Sequence, residues 1–87
     1  MKIVARPIDV IAVFKGGERP VPYKFRYTES DGRSSDVKID RILVSDEQRV
    51  AGQRSFIYEC QSEIDGCEKR YQLKYLIPEA RWLLYKI

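Results

Sequence analysis

The chain has 87 residues, 44% hydrophobic and 33% charged, which sets one domain over residues 1–87 with a single core and excludes a deep cleft between two lobes. Its 16 Lys and Arg against 13 Asp and Glu leave a net charge of +3, far from the dense basic stripe of a dedicated nucleic-acid binder. Histidine is absent and two cysteines alone cannot close a zinc site, so no catalytic residue, metal or cofactor is expected.

Ile3 and Val4 are followed by Arg6, Pro7 and Asp9 before any apolar run long enough for a secretion signal or a membrane span, so a cytoplasmic protein is expected. Residues 8–14 alternate Ile8, Val10, Ala12 and Phe14 against Asp9, Ile11 and Val13, a first strand lodged inside a barrel-like sheet. Gly16 and Gly17 end it, and Pro20 and Pro22 mark a loop over residues 15–22. Tyr23, Phe25 and Tyr27 then alternate with Lys24 and Arg26. An odd-length loop centred on Asp31 pairs Tyr23 with Ile39 and Phe25 with Val37, whereas a two-residue turn at Asp31 and Gly32 would mismatch the faces. The third strand, residues 36–44, changes face near Arg41, as a β-bulge would make it do. Ser45 and Gln48 have the spacing of a capping box, and Gly52 supplies a stop. This predicts one or two helical turns over residues 46–51.

Residues 56–87 read as three antiparallel strands. Asp65 and Gly66 form a two-residue type I′ turn that sets Ile64 opposite Cys67 and Cys60 opposite Tyr71. The two sulfurs then stand four ladder positions apart, roughly 13 Å at the rise of a strand, so both thiols are expected free and buried. A three-residue connection, Pro78 to Ala80, pairs Tyr75 with Leu83 and Leu73 with Tyr85. Both turns then put Tyr58, Cys60, Tyr71, Leu73, Tyr75, Leu83 and Tyr85 inside and leave Ile57, Leu76, Trp82 and Leu84 outside. A helix over residues 67–76 is the competing reading, since Cys67, Tyr71 and Tyr75 recur at four.

The expected fold is all-β, a small antiparallel barrel or strongly curled sheet of five to six strands with one short helix between the third and fourth. The outward Ile57, Leu76, Trp82 and Leu84 have two readings. Either Ile3 and Val4, or the short helix with Val50, folds over them, or they form an interface that dimerises or docks on a protein, because Trp supplies large buried area. This non-catalytic interaction module ranks first, with a protein partner or a second copy preferred to nucleic acid. The alternative is a weak nucleic-acid binder with Lys24, Arg26, Arg49, Arg54, Arg70 and Lys74 on phosphates. Strict alternation of rings with cations in residues 23–27 and 69–75 argues against a stacking platform there, where both would share a face.

The string Arg6 to Ala12, the strand Tyr23 to Arg26, Ala51 with Gly52, the hairpin from Cys60 to Gly66, and the closing Trp82, Leu84, Lys86 and Ile87 resemble a family of small uncharacterised proteins from clostridia and related bacteria, over nearly the whole chain. That resemblance brings no activity. The order Pro7-Ile8-x-Val10, Gly17-x-x-Pro20, Phe25-Arg26 and Trp82-x-Leu84 is also similar to short β domains that accompany bacterial lesion-bypass polymerases. This second resemblance implies an accessory role in DNA maintenance and carries over no catalytic residue.

Overall fold

A computed structural model describes all residues, Met1–Ile87. Seven strands, β1 (Ile3–Val13), β2 (Val21–Thr28), β3 (Ser34–Lys38), β4 (Arg41–Val50), β5 (Gln53–Ile64), β6 (Cys67–Leu76) and β7 (Arg81–Lys86), form one antiparallel sheet in the order β3-β2-β1-β7-β6-β5-β4. The sheet curls into a half-barrel, and no helix crosses or caps it. The all-β expectation stands, with seven strands in place of five or six.

β1 is the corner. Its first half pairs with β7 and its second half with β2, and the bend between Ile3 and Arg6 is taken up at Ala5, which has a φ of 43°. At the far side the chain steps from one sheet edge to the other within two residues. The Ile39 N–H donates to the Tyr23 carbonyl on β2 at 2.9 Å, while the Asp40 N–H donates to the Gln61 carbonyl on β5 at 3.1 Å. The residues read as one strand with a bulge are therefore two strands meeting at a corner, and the change of face near Arg41 is that corner. Buried polar groups close the gap between β3 and β5. The Ser62 hydroxyl donates to the Lys38 carbonyl at 2.6 Å and lies 2.6 Å from the Tyr71 hydroxyl, so no polar side-chain atom is left orphaned inside.

The hairpin at Asp65 and Gly66 has the expected register, with Ile64 opposite Cys67 and Cys60 opposite Tyr71, on φ values of 52° and 77°. Phe25 lies opposite Val37, as the odd-length loop requires. Tyr23, expected beside Phe25, is instead exposed, because a bulge between Ile11 and Ala12 makes it the extra residue on β2. The expected helix is absent. Residues 46–50 continue β4, and Ala51 and Gly52 form a tight turn on φ values of 52° and 79° that sets Val50 opposite Gln53. One helical turn offers few hydrogen bonds for its nucleation cost, whereas nine residue pairs with β5 supply a full ladder.

The last hairpin is where the expectation fails. The loop holds four residues, Ile77 to Ala80, so Tyr75 pairs with Trp82 and Leu73 with Leu84. Ile77 is not available to β7, because its N–H donates to the Arg54 carbonyl at 3.2 Å, and the turn closes one residue later through the Ala80 N–H and the Ile77 carbonyl. A slip of one residue turns every side chain of β7 over. Trp82 (9% exposed) and Leu84 (3%) are thus core residues, packed with Phe25, Val37, Ile39, Tyr58, Cys60, Tyr71 and Leu73, while Leu83 takes the outer face. The indole lies 4.8 Å from the Tyr75 ring and 5.5 Å from the Tyr58 ring, centroid to centroid.

Candidate functional site

The four-residue apolar patch read from the sequence does not exist. Trp82 and Leu84 are inside, and only Ile57 and Leu76 remain on the outer face, half-buried. Lys74 lies between Ile57 and Leu83 on that face, with its ammonium 4.1 Å from the centre of the Tyr85 ring. The free edge strand β4 is exposed along its length and carries Ile42, Leu43 and Val44, but it is blunted against strand addition. A bulge falls at Leu43, and the Asp46 carboxylate accepts the Glu47 N–H at 2.8 Å, occupying an amide that an added strand would need.

The open end of the half-barrel is different. β4 and β5 run past the core, and on their inner face Ser45, Glu47 and Arg49 stand opposite Tyr58, Phe56 and Arg54. The loop between β1 and β2 closes over them, fixed at its base by the Tyr58 hydroxyl, which donates to the Pro20 carbonyl. The result is a cleft of about 670 Å³ with Glu18, Arg19, Val21, Glu47, Arg54 and Phe56 in its wall. Phe56 is its one aromatic lining residue. Phe56 and Tyr75 are ladder partners with rings 9° from parallel at 6.4 Å, and Phe14, 61% exposed, sets its edge on Tyr75 at 5.8 Å.

Two guanidiniums line this cleft, and a third stands next to it. Arg54 grips Glu47 through two hydrogen bonds of 3.0 Å. Arg19 donates to the Ser45 hydroxyl at 3.3 Å and lies over the Phe56 ring at 5.2 Å. Arg49 stands opposite Arg54. The Arg54 hydrogen bonds hold the Glu47 carboxyl below its ordinary range, and the charges of Arg54, Arg49 and Arg19 add to that. Neither Arg19 nor Arg49 has a carboxylate within salt-bridge distance.

Of the six basic residues expected on phosphates, the structure brings together Arg49 and Arg54 only. Lys24 and Arg26 share Asp36 on the outer face of β2, at 3.6 and 2.7 Å, which offsets one of their two charges. Arg70 stands opposite Gln61 toward the other end of the sheet, and Lys74 rests on Tyr85. Sequence reasoning missed Phe56 and Arg19. Phe56 was legible, because it shares strand parity with Arg54 and so must share its face; Arg19 lies in a loop, where no periodicity applies.

The cysteines are both free. Cys60 is buried as expected, and burial pushes its thiol up to about 12, whereas Cys67, expected buried, is exposed at the hairpin end. Native protein at about pH 8 is therefore expected to take up one equivalent of a thiol-alkylating reagent, and two in denaturant. Mass spectrometry checks this, and native labelling at Cys60 would contradict the packing. No three His, Cys, Asp or Glu side chains gather as a metal-binding group. Protein-family models, curated proteins and solved structures all give no match to this chain.

Proposed function

We propose that this protein is a non-catalytic binding module that holds a nucleic-acid backbone in the open end of its half-barrel, with Arg19, Arg49 and Arg54 as phosphate contacts. One observation carries the reading: Arg19 and Arg54 line one exposed cleft, Arg49 stands opposite Arg54 beside it, and neither Arg19 nor Arg49 has a carboxylate partner. Elsewhere the basic side chains are spent on Asp36 or Tyr85, or stand apart. The resemblance to β domains that accompany lesion-bypass polymerases agrees with this class of ligand. The protein-partner reading loses its ground, since half of its patch is core.

Fluorescence anisotropy with a labelled oligonucleotide tests it. Affinity should fall steeply between about 50 mM and about 200 mM salt, as counterion release demands. The Arg19→Ala, Arg49→Ala double variant should lose about ten-fold in affinity and flatten the salt slope by about 1.5, since each phosphate contact accounts for about 0.7 to 0.9. Neither residue is buried, so the fold should be kept. Absence of binding at the lowest salt, or a double variant that binds as tightly as the wild type, would sink the proposal.

A further inference from the structure

Resting on that reading, we infer that the cleft recognises unpaired bases, with the Phe56 ring as the stacking surface and Arg19 as the group a base displaces. Phe56 lines the cleft, and its ring lies 9° from parallel to that of its cross-strand partner Tyr75, with centroids 6.4 Å apart. Arg19 covers the Phe56 ring in the unliganded protein. A guanidinium over a ring marks a position where a flat cation finds favourable contact, and a nucleobase has the same planar shape. Arg19 is free to leave. It has no carboxylate partner, its one side-chain hydrogen bond to Ser45 is at 3.3 Å, and it follows Gly16 and Gly17 in an exposed loop. Swung off the ring, it meets a phosphate next to the stacked base.

Charge and platform now share one exposed face, which is the condition for binding a single strand and not for reading a duplex. In a duplex the bases are stacked on one another, and only phosphates are offered to the cleft.

Three labelled probes of equal length separate the possibilities: a thymidine single strand, the same strand with all bases removed, and a duplex. The thymidine strand is expected to bind about ten-fold tighter than the abasic one, the size that one base stacked on an aromatic ring contributes. Phe56→Leu, which keeps an apolar side chain at a half-buried position, should erase the difference in affinity between the thymidine and abasic strands. Its melting temperature, measured alongside, verifies the fold. Equal affinity for thymidine and abasic strands, with the arginine dependence intact, overturns the base platform and leaves the backbone site standing. Failure of all three probes to bind removes both.

Discussion

Replacing Trp82 with Ala is expected to lower the stability of the domain by about 3–5 kcal/mol, the usual cost of emptying a large aromatic site in a packed core. A chain of this size has only about 4–13 kcal/mol to lose, so the substitution removes a large share of its stability and unfolds it if the total lies at the lower end. Trp82 contacts Tyr58 and Tyr75 and closes the core from the β7 side, where nothing else is placed to fill the space. Urea denaturation followed by circular dichroism gives the number, and Trp82→Phe should restore most of it. An alanine variant with an unchanged midpoint would put the indole back on the surface. The same substitution in a surface patch would cost little stability and act on association alone.

Alkaline pH is expected to unfold the protein through three acids that the core holds protonated. Burial pushes the Tyr58 hydroxyl and the Cys60 thiol up to about 12 from ordinary values of 10.0 and 9.0. Burial raises the Tyr71 hydroxyl in the same direction, opposed by its hydrogen bond with Ser62. In each case the unfolded chain ionises first as pH rises, so it binds fewer protons than the native state and stability falls. The full contribution is present below about pH 9 and is lost toward about pH 12, at about 1.4 kcal/mol for each unit of separation. Urea midpoints should therefore be flat around pH 8 and drop steeply above about pH 10. Of the six tyrosines, Tyr58 and Tyr71 should show phenolate absorbance only as the chain unfolds. Ionisation of all six within a folded protein would contradict the burial of both.

The two turns of the last third illustrate what is legible in residues and what is not. Asp65 and Gly66 specify their own conformation, because both positions need a left-handed backbone and the two-residue loop leaves one register. Pro78, Glu79 and Ala80 specify a turn but not its length. Whether Ile77 belongs to the strand or to the loop depends on the Arg54 carbonyl of β5, which accepts the Ile77 N–H from 23 residues away in sequence. Both lengths satisfy the local chemistry, and they differ in whether an indole or a leucine faces the core. The site shows the same division. Arg54 and Phe56 share a face by strand period alone, yet it takes the curl of the sheet to leave that stretch of the inner face open to solvent. Ser45 and Gln48 carry a helix signal of one turn, which the β5 ladder overrides.

Alternation, turn residues and the lack of histidine determine, without any coordinates, an antiparallel β protein with a tyrosine-rich core and two free thiols. Those features depend on neighbours within a few positions. The side of the sheet that Trp82 occupies, the meeting of Arg19 with the β4–β5 hairpin, and the corner at Ile39 and Asp40 were decided only by the tertiary structure. Each turns on a hydrogen bond or a packing choice between residues distant in the chain, and no local pattern records which of two such partners wins.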